Sequence, residues 1–260
     1  MKHPLAAVPE HPLADGVVAL AHGFAYLPAS RVLICADAHF GYEDVMGGGS
    51  SLPLWSTVEL AATIALAARR VAAREIVFLG DAIHGARMSA GAVRVVVEAF
   101  DSLRALAAVT FIAGNHEGRT RGAAILGATV EACERDGWLL LHGDKPGPLG
   151  TRAIIGHLHP SIQLGGGTTS PAFLAAERLV VVPALTPYSS GLDVLGDACI
   201  EALAPWNVTR RDLEVVGVTS ERVYPFGTLS RLRGALRAPQ TARAARPFKR
   251  RRLRPDRPPV

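Results

Sequence analysis

Aspartate and histidine recur at two-residue spacing in this chain, as Asp37-Ala38-His39 and His157-Leu158-His159. In extended backbone, residues two apart project to the same side, so each pair can offer ligand atoms to one small volume. Three more segments carry the same residue types: Gly80-Asp81, Gly114-Asn115-His116-Glu117 and His142-Gly143-Asp144. Carboxylate, imidazole and amide donors suit Mn²⁺, Fe²⁺ or Zn²⁺ better than Ca²⁺, and the lack of cysteine among them disfavours structural zinc. There are more donors than one tetrahedral ion takes. A carboxylate such as Asp81 can bridge two ions, so a dinuclear site is expected.

Taken singly, each residue has an ordinary structural explanation: Asp81 as a turn residue, His142 as a satisfied core histidine. Their placement argues for more, because each segment follows an apolar run. Val32–Ala36, Ile76–Leu79 and Val109–Ala113 read as strands buried on both faces. Residues 56–73 read as an Ala-rich helix opened by a capping box, Ser56 to Glu59, and residues 89–107 as a second helix capped by Ser89. Strand, helix, strand, helix, strand makes the three strands parallel, with right-handed crossovers. Their carboxyl ends share one edge, where open α/β sheets bind ligands. Asp37 with His39, Asp81 with His84, and Asn115 with His116 fall at those ends.

Beyond residue 127 the pattern turns to short strands: Ala128–Ala132, Trp138–Leu141, Ala153–Ile155, Ser161–Leu164, Leu179–Val182 and a pair near 213–218 and 221–225. A second sheet packed on the first is expected, with Gly165-Gly166-Gly167 as a hairpin loop. His3, His11 and His22 precede the first motif and read as surface residues. Arg119 and Arg121 could reach a phosphate but equally suit a solvated helix start.

Of the 260 residues, 49% are apolar and 20% charged, as in a soluble protein with a sizeable core. No apolar stretch approaches a membrane span, and the proline-broken N-terminus lacks a signal-peptide segment, so a cytoplasmic location and no membrane partner are expected. Cys35, Cys133 and Cys199 are scattered and read as reduced thiols. The net charge of +5 is uneven: residues 231–260 hold eleven Lys/Arg against Asp256 alone, which leaves 17 basic and 22 acidic residues before them. Residues 1–230 therefore read as one folded domain and 231–260 as a basic, disordered Arg/Pro-rich tail. Aromatics do not interleave with basic residues, so no RNA-binding platform is expected.

The ordered series D-x-H, G-D, G-N-H-E, H-G and G-H-x-H resembles the calcineurin-like metallophosphoesterases, across residues 31–160 and more weakly to about 227. Asp37-Ala38-His39-Phe40-Gly41-Tyr42-Glu43 and Pro183-Ala184-Leu185-Thr186-Pro187-Tyr188-Ser189-Ser190-Gly191 are similar to the branch of archaeal phosphoesterases and bacterial ligase-associated PdeM-like nucleases. The resemblance implies an α/β fold, a sandwich of two packed mixed β-sheets flanked by helices. It implies two divalent ions, manganese foremost, with iron, zinc or nickel as alternatives. Asp37, His39 and His159 would hold one ion, Asn115, His142 and His157 the other, and Asp81 would bridge them.

It further implies in-line attack on phosphorus by a metal-bridging hydroxide, with His116 as general acid or hydrogen-bond donor at the leaving oxygen. Glu117 would support the ligands without binding metal. Many relatives carry aspartate three residues after the bridging aspartate, to orient the catalytic histidine; here His84 stands there, without a negative charge to favour protonated His116. The expected function is hydrolysis of phosphodiesters in nucleic acid or a nucleotide, including DNA repair, with the basic tail as a nucleic-acid contact. Phosphomonoester hydrolysis uses the same ligands, and a non-catalytic scaffold of this fold is the reading from a different class.

Overall fold

The computed structural model describes residues 10–47, 54–85, 87–116, 123–165, 168–189, 191–209 and 211–237. Among them the first sheet has seven strands in chain order: β1 (Glu10–Ala14), β2 (Val17–Leu20), β3 (Ala25–Leu27), β4 (Val32–Cys35), β5 (Glu75–Phe78), β6 (Ala108–Ile112) and β7 (Thr129–Val130). β1 to β4 are antiparallel neighbours, and β4 to β7 are parallel. The second sheet comprises β8 (Ala132–Arg135), β9 (Trp138–Leu141), β10 (Ala153–Ile155), β11 (Pro160–Gly165), β12 (Thr168–Ala176), β13 (Leu179–Val181), β14 (Leu192–Asp193), β15 (Glu214–Val218) and β16 (Val223–Thr228). Within it β9, β10 and β13 run parallel.

Alternation along the strands explains the apolar runs. Besides the short helices α1 (Tyr42–Met46) and α4 (Ala123–Leu126), longer ones cover the sheets. In β4, Val32 and Ile34 face a core between the two sheets, while Leu33 and Cys35 face a core roofed by α2 (Trp55–Arg70) and α3 (Ala90–Arg104). Val77 and Leu79 turn to the inter-sheet core, and Ile76 and Phe78 to the helices. In the second sheet Ile154 and Val180 face inward, while Ala153, Ile155, Leu179 and Val181 meet a third core with α5 (Asp197–Leu203) and α6 (Leu229–Arg237). Strands covered on both faces cannot show polar alternation. Each fully buried Leu, Ile or Phe in these layers contributes roughly 1.5–3 kcal/mol.

Several expectations are corrected. Trp55–Arg70 is helical, but Ser56 makes no capping box: its backbone N–H and hydroxyl both bond Glu43 Oε1, which does the capping from another segment. Ser89 does cap its helix, accepting from the Ala92 N–H at 3.2 Å. The expected strand Ala128–Ala132 is two strands in different sheets: β7 pairs with β6 and β8 with β9, so Glu131 hands the chain across. The N-terminal segment folds as a hairpin over Asp15-Gly16, where Gly16 has φ +74 as the tight turn requires. Pro12 is tolerated there because β1 is an edge strand. Helix α6 carries structure into the segment read as a basic tail, because Leu229 and Leu232 pack against the third core; residues 238–260 lie outside the described residues. No helix among the described residues is long and apolar enough to cross a membrane.

Candidate metal centre

Register sets the carboxyl ends of the parallel strands level. Cys35 pairs with Phe78 and Phe78 with Phe111 in one sheet; Leu141 pairs with Ile155 and Ile155 with Val181 in the other. The loops leaving those ends meet between the sheets. His39 donates its N–H to the Asp81 carbonyl at 2.9 Å, Phe40 to Ala82 at 2.9 Å, and His84 to Phe40 at 3.0 Å, so two loops re-pair beyond their strands. The His157 N–H donates to Asp37 Oδ2 at 2.8 Å, tying the sheets together.

Asp37, His39, Asp81, His157 and His159 all lie in the left-handed backbone region, with φ between 46° and 64°. Non-glycine residues rarely adopt it, and each costs of order 1–3 kcal/mol unless the surroundings over-determine it. Such strain on five candidate ligands at once marks the loops as shaped for their side chains. The backbone also approaches these side chains too closely for any Cβ: one built at Gly114 would lie 2.2 Å from Asp81 N and Oδ1, and one at Gly156 2.6 Å from Asp37 Oδ2.

Two groups of ligand atoms form, each lying within 4.8 Å of one another: Asp37, His39 and His159; and Asp81, His142 and His157. His142 Nδ1 lies 2.8 Å from the Leu79 carbonyl, which can only accept, so Nδ1 carries the proton. In the neutral ring Nε2 is then a lone pair. It faces Asn115 Oδ1 at 2.9 Å, His157 Nδ1 at 3.1 Å and Asp81 Oδ2 at 3.5 Å. Lone pairs of His142 Nε2, Asn115 Oδ1 and Asp81 Oδ2 thus converge, and His157 Nδ1 adds another in its Nε2–H tautomer; such a donor set is what a cation needs. In the other group Asp37 Oδ1 is buried with no hydrogen-bond partner, although His159 Nε2 lies 3.2 Å away in a geometry unsuited to one.

Asp37 and Asp81 are 0% and 2% exposed. Buried carboxylates need compensating charge, and among the described residues their ion-pair partners are histidines alone. Burial holds His39 far below the ordinary histidine value, at about 3, against the pull of Asp37, and it lowers His84 and His157 too. These imidazoles are neutral and free to ligate. For His159 burial acts downward, but the charge of the nearby Asp37 carboxylate, and of Asp81 beyond it, raises it overall. Both groups therefore fit divalent ions by donor chemistry and by charge.

His116 stands at the rim, its side chain 45% exposed, with its backbone N–H on Asp81 Oδ1 at 2.9 Å and Nε2 4.0 Å from Asp81 Oδ2. His84 does not hydrogen-bond it. The two rings stack with centroids 5.5 Å apart, and His84 Nδ1 instead reaches His39 Nδ1 at 3.2 Å. Placement at a strand end put His84 near both rings without saying which its nitrogen meets; His39 is the one it reaches. His39, His84 and His116 also form a third imidazole group. Glu117, Arg119 and Arg121 lie outside the described residues.

Residues that sequence reasoning gave no role also reach the site. Ser189 Oγ lies 2.8 Å from His159 Nδ1, fixing that ring from behind. Tyr42 packs on His84 at 4.5 Å and on Tyr188 at 4.3 Å. Both tyrosines and Ser189 lie in stretches singled out for resemblance alone. His11 is half-buried against Glu214 at 3.2 Å, not a plain surface residue, whereas His22 is exposed.

No protein-family model matches the chain, and no curated protein does. Among solved structures it is similar to Pseudomonas putida nuclease MPE, with a TM-score of 0.61 and 22% identity over 80% of this chain and 94% of that one. A more distant structure, Yfce, a phosphoesterase from E. coli, aligns with a TM-score of 0.37 and 15% identity over 62% of this chain and 83% of that one. The likeness to the nuclease concerns the fold: an α/β sandwich of two mixed sheets with flanking helices.

Proposed function

We propose that this chain is a divalent-metal-dependent phosphoesterase that hydrolyses phosphodiester bonds, in nucleic acid or a nucleotide, within the PdeM-like branch. The observation that carries the reading is the proton-free Nε2 of His142 facing Asn115 Oδ1, His157 Nδ1 and Asp81 Oδ2, beside the orphaned Oδ1 of Asp37. The nuclease with the similar fold supports it. In this reading Asp37, His39 and His159 would hold one ion, Asn115, His142 and His157 the other, and Asp81 would serve both. Bound divalent ions, manganese foremost, would supply Lewis acidity that neutralises phosphate charge and makes a nucleophile available at neutral pH.

The chain's own residues do the rest. His116, open to solvent and fixed by its N–H to Asp81, holds a proton for the leaving oxygen. His84 sets His39, and Ser189 sets His159. In this reading Glu117 would support the ligands without binding metal. Residues before 231 with helix α6 form the catalytic body, and the basic segment 238–260 contacts nucleic acid, a contact that deleting it would remove along with the salt dependence of binding.

Hydrolysis of bis(p-nitrophenyl) phosphate and of p-nitrophenyl phosphate, with Mn²⁺ supplied, tests the reading. Faster turnover of the diester is expected. Preference for the monoester would make the protein a phosphomonoesterase, and an inactive, metal-replete protein would make it a scaffold.

A further inference from the structure

Outside the ligands, the site is flanked by a short ladder of rings. Tyr188 stacks on Tyr42 nearly parallel, with centroids 4.3 Å apart and planes 10° apart. Tyr42 in turn packs on His84 at 4.5 Å, and His84 meets His39, a candidate ligand, at 5.1 Å. Tyr188 ends the ladder and is 44% exposed. Among the described residues no other ring lies against it.

The ladder is built into the site. The Tyr42 N–H donates to the His39 carbonyl at 3.2 Å, and the Thr186 N–H to the Asp37 carbonyl at 3.2 Å. The Tyr188 N–H meets Thr186 Oγ1 at 3.4 Å, and its neighbour Ser189 meets His159 Nδ1 at 2.8 Å. Both tyrosines are thus carried by segments that also hold Asp37, His39 and His159 in place. An exposed aromatic so tightly registered to a phosphate-binding site has little structural use for its open face. Planar aromatic groups stack on such a face without regard to their hydrogen-bonding edges.

We propose that Tyr188, backed by Tyr42, is a base-stacking shelf that binds the nucleobase next to the scissile phosphate, so that the ester group flanking the phosphorus is a nucleoside and not a simple alkyl or sugar group. The proposal rests on the phosphodiesterase reading for the position of the phosphate. Tyr188 is a positioning residue for substrate: stacking sets affinity and leaves the bond-breaking step alone. Tyr42 also touches His84, so Tyr188 is the residue to vary.

The test uses the full chain with Mn²⁺ and two esters with one leaving group, thymidine 5′-(p-nitrophenyl) phosphate and methyl p-nitrophenyl phosphate. The native protein should show the lower KM for the thymidine ester. Tyr188→Ala should raise that KM at least about fivefold more than the KM for the methyl ester, and Tyr188→Trp should restore the difference. Equal KM values in the native protein, or an equal shift of both in Tyr188→Ala, would overturn the shelf while leaving the phosphodiesterase reading intact. Binding of a 2-aminopurine dinucleotide, followed by its fluorescence, is read in parallel and does not depend on turnover. Quenching by the native protein and by Tyr188→Trp, lost in Tyr188→Ala, supports the shelf even if neither ester is hydrolysed; absence of quenching overturns it.

Discussion

His142 Nδ1 reaches from one sheet to the Leu79 carbonyl of the other at 2.8 Å, and this contact decides which ring nitrogen is free. The metal-free protein should hold His142 as the Nδ1–H tautomer. Long-range ¹⁵N correlation spectra check it: adding diamagnetic Zn²⁺ should shift the Nε2 resonance and leave Nδ1 protonated. A resting Nε2–H tautomer would contradict the assignment of His142 as a ligand.

His116 stands at the rim with its backbone N–H on Asp81 Oδ1 and its ring open to solvent, and the proposed function gives it the leaving-group proton. His116→Ala should lower kcat by about 10²–10⁴-fold on an oligonucleotide, whose leaving alkoxide needs a proton. The loss should be much smaller on a p-nitrophenyl ester, whose leaving group does not. Steady-state kinetics on both substrates, with metal content measured alongside, separates these effects. Full activity on the oligonucleotide would remove His116 from the mechanism.

For His84 the structure changes the expected phenotype. Its nitrogen meets His39 at 3.2 Å, so His84→Ala should weaken metal affinity by about 10–100-fold, as loss of a ligand's outer partner does. Excess Mn²⁺ should then recover most of the activity. Loss of activity that saturating metal does not repair would restore His84 as the residue that tunes His116.

Proton competition should appear first at His159. A ligating imidazole must be deprotonated; burial opposes the charge on His159, but Asp37 and then Asp81 raise it above the ordinary 6.5, while burial keeps His39 neutral down to about 3. The sign follows: as pH falls, metal affinity begins to drop above pH 6.5, steepening toward about tenfold per pH unit as one proton is displaced. Calorimetric titrations across pH 6 to 8 (roughly the window of interest) check it. A pH-independent affinity there would mean His159 is no ligand.

Much of this site can be read from sequence because of how its strands are buried. Val32 and Ile34 face one core and Leu33 and Cys35 another, so the strands read as unbroken apolar runs and the polar residues after them stand out. Where burial is uneven the reading fails. β12 begins Thr168-Thr169-Ser170-Pro171 and changes partners along its length, pairing with β11 at one end and with β13 and β15 at the other, so it shows neither alternation nor an apolar run at its start. Ring directions are equally out of reach: sequence places His84 at the correct strand end but cannot choose between His39 and His116. The stacking of Tyr42 on Tyr188 joins segments that only the folded chain brings together.

The central claim is that two separate ligand groups each hold an ion and that hydrolysis needs both. Metal content per chain, measured by plasma mass spectrometry after equilibration with Mn²⁺ and removal of free ion, tests it on the native protein and on His159→Ala and His142→Ala. We expect two equivalents in the native protein and one in each variant, with diester hydrolysis reduced at least about 100-fold in both, beyond what loss of an outer partner causes. One equivalent or none in the native protein, or two retained in either variant, would contradict it.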